Sequence, residues 1–383
     1  MKNLSEDLER RKTEHLYRTR RISDGPQQPE MVIDGKPVIS FCSNDYLGLA
    51  NHPDVRSAFI KGIEDYGAGS GAAHLITGHS RAHHALEEEL ADFTGYPRAL
   101  LFSTGYMANL GAAQALAGRG DTVFEDRLNH ASLLDGGLLS GARLMRYRHN
   151  SADDLESKLA SRPSGEKLVM SDGVFSMDGD IADAGALSKT CMKHDALLML
   201  DDAHGFGVLG RNGRGTPEHR GVSTDGIPVY MATLGKAVGV AGAFMAGSEA
   251  LIETLIQKAR TYIYTTASPP AAAEAARAGL KIIRSQPQLR ERLDHNIQYF
   301  RNCCGELGVQ LGDSQTAIQP VMVGDSGAAA SMSERLLARG LLITAIRPPT
   351  VPAGTARLRI TLSAAHERTH IDKLLSALDA ITR

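Results

Sequence analysis

Apolar runs alternate with amphipathic stretches along most of the chain. Strands are predicted over residues 99–102, 122–125, 143–147, 167–171, 197–200 and 229–232. The stretches between them predict helices, such as those over residues 151–160 and 184–194. This alternation is typical of a mostly parallel sheet with helices on both faces. A ligand is therefore expected at the carboxyl ends of the strands.

The two ends of the chain follow a different pattern. Residues from about 4 to 21 predict a helix, and residues 31–41 predict a hairpin that turns at Asp34 and Gly35. From about residue 290 onward, short strands and separate helices indicate a smaller α+β domain. The expected division is an N-terminal helix and hairpin segment over 1–45, a large domain over 46–288 and a small domain over 289–383.

Composition narrows the class of protein. The chain has 383 residues, of which 42% are hydrophobic and 22% charged, and its net charge is -2 with both signs interspersed. Nothing in this balance favours binding to nucleic acid or to an anionic membrane. No apolar run approaches the roughly 20 residues of a membrane span, and the charged start lacks a signal-peptide core. The four cysteines form neither a disulfide nor a zinc framework, so a reducing cytoplasm is expected.

Two neighbouring strand ends carry the candidate chemistry. One strand delivers Asp201, Asp202 and His204, and the next delivers Thr233 and then Lys236 in a turn with flanking glycines. Such a lysine can form a Schiff base with an aldehyde while an acid pairs with a ring nitrogen, as in pyridoxal phosphate (PLP) enzymes. Taken singly, the lysine is more often a surface charge and the acids are more often turn residues. The polar groups expected along this edge are Gly105, His130, Ser176, Asp201, His204, Thr233 and Lys236.

Two glycine-containing segments offer anion sites of different quality. Residues 103–109 form a small-residue turn from a strand into a helix, where free backbone N–H groups and the helix dipole favour a phosphate. The glycines at 67, 69 and 71 resemble a dinucleotide fingerprint only superficially, because no buried strand precedes them. A nicotinamide cofactor is therefore disfavoured.

A cluster of histidines lies at the start of the helix predicted from residue 81. His79, His83 and His84 include an i, i+4 pair that could ligate a metal ion. We identify no carboxylate or thiol at matching spacing, so an exposed or packed helix start is favoured. No metal site is expected.

Four segments resemble signatures of the α-oxoamine synthase family of fold-type I PLP enzymes. They are FCSNDYLGL at 41–49, SDGVFSMDGD at 171–180, DDAHGFGVLG at 201–210 and TLGKAVGVAG at 233–242, in the family's order. The resemblance spans nearly the whole chain. It implies a large domain with a mostly parallel seven-stranded sheet, a smaller C-terminal α+β domain, PLP as cofactor and a homodimer with a shared active site.

The same resemblance assigns roles to the residues at the strand ends. It implies that Lys236 holds PLP, Asp201 pairs with the pyridinium nitrogen, His204 bonds the phenolic oxygen and His130 stacks on the ring. Asp202 is set aside because adjacent side chains of an extended backbone point in opposite directions. The remaining implied cofactor contacts are Ser176 near the ring, Gly105, Tyr106 and Thr233 at the phosphate, and Thr265 at the phosphate of the neighbouring subunit.

Residues 317–325 and 344–367 resemble family members that join L-alanine to a pimeloyl thioester in biotin biosynthesis. This reaction releases CO2 and the free thiol carrier, which is either coenzyme A or acyl carrier protein. The implied substrate contacts are Arg359 at the amino acid carboxylate, Arg18 or, as a fallback, Arg21, and Arg347 with Thr350 at the acyl-chain entry. The leading alternative is a relative that joins glycine to acetyl-CoA. A PLP-fold scaffold without activity is disfavoured, since the cofactor residues are all present.

Overall fold

The structure is a computed structural model that describes residues 4–14, 16–162 and 164–382. Its helices are α1 (Leu4–Thr13), α2 (Pro53–Tyr66), α3 (Arg81–Thr94), α4 (Gly105–Leu116), α5 (Ala131–Ser140), α6 (Ala152–Ala160), α7 (Ala184–Lys193), α8 (Thr216–Arg220), α9 (Glu249–Lys258), α10 (Arg260–Ile263), α11 (Pro270–Ser285), α12 (Gln288–Leu307), α13 (Ser326–Leu337) and α14 (Arg368–Thr382). A π-helical turn covers His74–Gly78 and a 3-10 turn covers Thr224–Gly226.

The strands are β1 (Ser23–Asp24), β2 (Glu30–Ile33), β3 (Lys36–Ser40), β4 (Arg98–Phe102), β5 (Thr122–Asp126), β6 (Arg143–Tyr147), β7 (Lys167–Asp172), β8 (Leu197–Asp201), β9 (Val229–Thr233), β10 (Ala243–Gly247), β11 (Ile318–Gly324), β12 (Leu341–Leu342), β13 (Thr344–Ile346) and β14 (Ala356–Thr361). The chain divides into two compact units. One comprises residues 49–176 and 181–290, and the other comprises 1–48, 177–180 and 291–383. The predicted boundaries after residues 45 and 288 stay predictions.

The larger unit is built around a seven-stranded sheet in the order β4-β10-β9-β8-β7-β5-β6. The pairs β5–β6, β5–β7, β7–β8 and β8–β9 are parallel, whereas β10 runs antiparallel to both β4 and β9. The predicted mostly parallel seven-stranded sheet is therefore confirmed. We did not locate β10 from the sequence, because its run of small apolar residues carries no alternation of polar and apolar positions.

The central strands are buried except for one half-buried terminal residue each in β7, β8 and β9, which requires cover on both faces of the sheet. Every residue of β5 and of β10 is buried, and Met170 of β7 lies opposite Met199 of β8 in the core. Helices α2 and α11 pack closely against each other in this unit. A Cβ atom at Gly62 of α2 would lie 2.7 Å from the Cα of Ala271, so only glycine permits this approach.

The smaller unit contains two sheets. One has the order β1-β2-β3-β12, and the other has the antiparallel order β11-β14-β13. Strands β2 and β3 form the predicted hairpin, and Asp34 (φ 51°) and Gly35 (φ 73°) provide its turn. Positive φ at both central residues matches the twist of the two strands.

The predicted N-terminal helix is shorter than expected. The structure ends α1 at Thr13, and residues 16–22 are not helical. The prediction that this helix reaches residue 21 is wrong. The helix buries no residue, so no packing against the rest of the protein stabilises further turns. Among the described residues, no helix is long and apolar enough to cross a membrane.

Candidate active site

A cavity of about 200 Å³ lies where β7, β8 and β9 end and α4 begins. It is lined by Gly105, Tyr106, His130, Ser132, Asp172, Ser176, Asp201, Ala203, His204, Met231, Thr233 and Lys236. The parallel register brings the strand ends together, with Asp172 of β7 opposite Asp201 of β8. All seven residues expected along this edge thus line one cavity, together with Tyr106, and its volume suits one small molecule.

Lys236 lies in the turn that follows β9. Its Nζ is 2.9 Å from Nε2 of His204, which follows β8. The turn closes with a hydrogen bond from the backbone N–H of Gly239 to the carbonyl of Lys236. Gly239 has φ 78°, a conformation that glycine adopts without strain. This turn presents a half-buried amine to a neighbouring imidazole inside the cavity.

Asp201 ends β8 with its carboxylate held on two sides. One oxygen accepts from the side-chain amide of Asn109 at 2.7 Å, and the other accepts from the backbone N–H of Ala203 at 3.0 Å. Asn109 also donates to the hydroxyl of Ser132 at 2.8 Å. The carboxylate is thereby fixed in orientation at the wall of the cavity.

Asp202 belongs to a different network. It accepts from the hydroxyl of Thr216 at 2.6 Å, from the backbone N–H of Thr216 at 2.7 Å and from the hydroxyl of Tyr230 at 2.9 Å. Burial raises its pKa to about 7, although these hydrogen bonds oppose the shift. Asp201 and Asp202 therefore face different surroundings, as expected for adjacent residues at a strand end.

His130 caps the N-terminus of α5. Its backbone N–H donates to Asp172 at 2.7 Å, and its Nδ1 accepts from the backbone N–H of Ser132 at 3.3 Å. The Ser132 hydroxyl lies 2.7 Å from the same nitrogen. Because Nδ1 acts as an acceptor, the proton of the neutral imidazole lies on Nε2. His130 can therefore donate a hydrogen bond from Nε2.

Asp172 is a buried acid that the sequence analysis did not assign to the site. Burial raises its pKa well above the ordinary range, and the negative charge of Asp201 raises it further. The hydrogen bond from the backbone N–H of His130 and the positive charge of Lys236 act in the opposite direction. Two carboxyl groups and one amine thus share a small, poorly hydrated space.

The start of α4 provides an anion-binding position. The Thr104 side chain accepts from the backbone N–H of Met107 at 3.1 Å, and the preceding N–H groups of the first turn have no acceptor within the helix. Gly105 and Tyr106 line the cavity together with Thr233, whose hydroxyl donates to the carbonyl of Gly242 at 2.9 Å. The backbone N–H groups at the start of α4 suit a phosphate, whereas the hydroxyl proton of Thr233 is engaged with Gly242.

The remaining predicted residues lie elsewhere. Thr265 lies between α10 and α11 and is not among the described residues that line this cavity. In the smaller unit, Arg359 of β14 donates to the hydroxyl of Thr361 at 2.9 Å and to the side-chain oxygen of Asn44 at 3.2 Å. Both contacts orient a buried guanidinium.

A larger cavity, of about 730 Å³, lies within the smaller unit. The predicted substrate residues Arg18, Arg21, Arg347 and Thr350 all line it. Arg21 also pairs with Asp34 of the hairpin turn at 3.3 Å, so part of its charge is already neutralised. Arg18 is therefore the stronger of the two candidates for contact with an anionic substrate.

Comparison with known proteins decides the family. Residues 36–378 match the family model for aminotransferase class I and II. The 8-amino-7-oxononanoate synthase of Thioalkalivibrio sulfidiphilus is 61% identical over 384 residues, which cover 100% of this chain and 98% of that protein. The enzyme of the same name from Methylococcus capsulatus is 62% identical over 371 residues, covering 97% of this chain and 96% of the relative. The chain belongs to the 8-amino-7-oxononanoate synthase family.

Solved structures agree with this membership. A serine palmitoyltransferase from S. paucimobilis, solved with PLP and myriocin, matches with a TM-score of 0.94 and 34% identity over 99% of this chain and 96% of that chain. The 8-amino-7-oxononanoate synthase of Francisella tularensis matches with a TM-score of 0.79 and 33% identity over 90% of this chain and 97% of that chain. The fold-type I prediction is confirmed.

The sequence analysis did not identify three residues as part of this site, namely Ser132, Asn109 and Asp172. Ser132 and Asn109 carry the hydrogen bonds that orient His130 and Asp201, and Asp172 supplies the second carboxyl group. Asp172 ends a strand just as Asp201 does, so its position was an available signal. Asn109 lies inside a helix, and its contact with Asp201 is recognised only once the fold places this helix beside β8.

Proposed function

We propose that the protein condenses L-alanine with a pimeloyl thioester to form 8-amino-7-oxononanoate, CO2 and the free thiol carrier. The observation that carries the proposal is the group formed by Lys236, His204 and Asp201 in one cavity, in a member of this synthase family. The acyl carrier is coenzyme A or acyl carrier protein, since both present the same thioester. The cytoplasmic location expected from the cysteines stays a prediction.

The residues of the cavity fit PLP. Lys236 would hold the aldehyde carbon, Asp201 the ring nitrogen, His204 the phenolic oxygen, and the start of α4 with Thr233 the phosphate. Ser176 and His130 line the same cavity, and His130 would stack on the face of the ring. When bound, PLP serves as an electron sink that stabilises negative charge at the α-carbon of the amino acid. The carboxylate of Asp201 would hold the proton on the ring nitrogen and so support this role.

Lys236 is the group suited to move the α-proton of alanine. As a neutral amine it can accept a proton at Nζ, and the imidazole of His204 at 2.9 Å fixes where that nitrogen lies. The neighbouring side chains of Asp172, Asp201 and His204 are buried, which limits the access of bulk water to the floor of the cavity. The same Nζ can return a proton once CO2 has been lost.

His130 is suited to stabilise the oxygen of the thioester carbonyl during carbon–carbon bond formation. Its Nε2 proton follows from the acceptor role of Nδ1, which Ser132 enforces. A preorganised donor of this kind stabilises a developing oxyanion more than it stabilises the ground-state carbonyl. Removing the donor is expected to lower kcat by about 100-fold or more.

The smaller unit supplies the candidate substrate contacts. We assign Arg359 to the alanine carboxylate, because a planar guanidinium pairs with a carboxylate through two parallel hydrogen bonds. Arg18 is assigned to the substrate, with Arg21 as its alternative, and Arg347 and Thr350 to the entry of the acyl chain. These assignments rest on the resemblance of the segments that carry them.

We further assign the active form to a homodimer in which Thr265 reaches the PLP phosphate of the neighbouring subunit. The exposed side chains of Ile60 and Ile63 on α2 and of Ile76 in the π-helical turn offer apolar surface for a second copy. A Thr265→Ala variant should weaken PLP binding even though Thr265 lies outside its own subunit's cavity.

Thiol release by the PLP-loaded protein tests the proposed reaction. Alanine, glycine and serine are each combined with pimeloyl-, acetyl-, succinyl- and palmitoyl-CoA. Release confined to alanine with pimeloyl-CoA is expected. If glycine with acetyl-CoA is the preferred pair, the assignment of the substrates is wrong, whereas the assignment of the cofactor residues is unaffected.

A further inference from the structure

A cluster of histidines and one glutamate surrounds the junction between the π-helical turn His74–Gly78 and α3. His74, His79, His83, His84 and Glu87 form this cluster, in which two overlapping triads each place one ligand atom per residue within 4.8 Å of the others. The sequence analysis noted three of the histidines but missed Glu87, one turn beyond His84 on α3. The folded chain therefore adds the carboxylate that the sequence interpretation lacked.

Both ring nitrogens of His83 already have hydrogen-bond partners within the fold. Its Nδ1 accepts from the backbone N–H of Ser80 at 3.1 Å, and its Nε2 lies 2.8 Å from the carbonyl oxygen of Ser268. A neutral imidazole with one accepting and one donating nitrogen has no lone pair left for a metal ion. The triad that includes His83 is thus excluded as a ligand set.

His79 is placed differently. Its Nδ1 lies 3.0 Å from Nδ1 of His74, and its Nε2 lies 3.8 Å from Oε2 of Glu87. When His79 donates from Nδ1 to His74, its Nε2 carries a lone pair that faces the carboxylate oxygen. Metal-binding histidines are commonly oriented in this way by a hydrogen bond from the other ring nitrogen.

Glu87 offers one oxygen and keeps the other anchored. Its Oε1 accepts from the backbone N–H of Leu101 at 2.9 Å, which fixes the carboxylate and leaves Oε2 directed towards His79. The side chain is 13% exposed, so the carboxylate is mostly removed from water. A cation at this position would gain a fixed and poorly solvated ligand.

His84 completes the set from the solvent side. It lies three residues before Glu87 on α3 and is 51% exposed, so its ring can turn without repacking the core. It presently lies 3.5 Å from Oε1 of Glu88, an exposed acid one turn further along. The ring of His84 is edge-on to that of His79 at 5.7 Å between centroids.

We propose that His79, His84 and Glu87 bind a divalent transition-metal ion, with Zn²⁺ the best match. Two imidazole nitrogens and one carboxylate oxygen form a common zinc ligand set, with metal–ligand distances of about 2.0–2.2 Å. Such bonds place ligand atoms roughly 3.4 Å apart around a tetrahedral ion, close to the 3.8 Å between His79 and Glu87. The fourth position is open to water. The ion would cross-link the π-helical turn to α3.

Zinc titration of the PLP-loaded protein tests the proposal after treatment with EDTA and dialysis. The expected result is one Zn²⁺ bound per chain by calorimetry, with a rise in melting temperature on adding Zn²⁺. His84→Gln and Glu87→Gln should each weaken Zn²⁺ binding at least about tenfold. Gln at position 87 keeps an acceptor for Leu101, and an unchanged melting temperature in metal-free buffer verifies the fold of each variant.

Two matched controls sharpen the test. Glu88→Gln changes the exposed acid next to Glu87, and His295→Gln changes an exposed histidine in the other unit. Both should bind Zn²⁺ like the unaltered chain. The proposal is overturned if the unaltered chain binds no Zn²⁺, if the two ligand variants bind it normally, or if Glu88→Gln weakens binding as much as Glu87→Gln. None of these results depends on which substrates the enzyme condenses.

Discussion

The side-chain amide of Asn109 donates to the carboxylate of Asp201 at 2.7 Å, and both residues are buried. The same amide donates to Ser132, whose hydroxyl lies 2.7 Å from Nδ1 of His130. One helix residue thus joins the acid assigned to the cofactor ring nitrogen to the imidazole assigned to the ring face. The orientation of both groups depends on α4 as much as on their own strands.

This relationship predicts the behaviour of an Asn109→Ala variant. Hydrogen bonds to charged groups are worth about 1.5–3 kcal/mol, so PLP affinity should fall roughly 10- to 100-fold. Fluorescence titration with PLP measures the affinity, and the visible spectrum of the bound cofactor reports its protonation. Gln114→Ala, on the same helix, should leave both unchanged. Unaltered PLP affinity in Asn109→Ala would show that Asp201 needs no such support.

Lys236→Ala tests the assigned anchor and proton carrier. The variant should fold normally, lose the visible absorbance that arises from covalent attachment of PLP, and lose turnover by at least about 1,000-fold. Lys189→Ala removes an exposed lysine from α7 and serves as the control. Normal turnover by Lys236→Ala would rule out the proposed role of Nζ.

Arg359→Lys tests the assignment of the alanine carboxylate. Lysine keeps the positive charge but cannot form two parallel hydrogen bonds, so the KM for alanine should rise about tenfold or more. The KM for the pimeloyl thioester should change little. Steady-state kinetics with each substrate varied in turn separates the two effects, and Arg292→Lys provides an exposed control. An equal rise in both KM values would point to a general loss of structure.

The buried carboxyl group of Glu125 should make the stability of the fold depend on pH, independently of the catalysed reaction. It lies fully buried in β5, neither carboxyl oxygen has a hydrogen-bond partner among the described residues, and burial raises its pKa from 4.5 to about 7. As pH rises, the unfolded chain releases this proton first, near pH 4.5, whereas the folded chain keeps it until about pH 7. The contribution of Glu125 to stability therefore falls across that window, by about 3 kcal/mol in total.

A Glu125→Gln variant removes this titration. Its melting temperature should be close to that of the unaltered chain below pH 4.5, and the difference in its favour should grow until about pH 7 and then stay constant. Glu306→Gln, an exposed position in the other unit, is the control. A difference that does not vary with pH would show that Glu125 is ionised to the same extent in both states.

The sequence predicted most of the sheet because parallel strands covered on both faces leave continuous apolar runs. It also predicted the residues after those strands, such as Asp201 and Lys236, because strand ends meet at one edge. It did not reveal Asn109, whose role arises from a contact between α4 and the distant strand β8. Glu87 was also missed, although it lies one helical turn beyond His84 and its spacing was an available signal. It overextended α1, because a polar helix without buried residues gives no signal of where it ends.

The most direct test of the proposed reaction follows the carboxyl carbon of alanine. The PLP-loaded protein is given L-alanine labelled with ¹³C at the carboxyl group together with pimeloyl-CoA, and gas analysis is combined with thiol detection. The account predicts labelled CO2 in a 1:1 ratio to free thiol, with a new amino ketone in the mass spectrum. Thiol release without labelled CO2, or at the same rate without alanine, would contradict it.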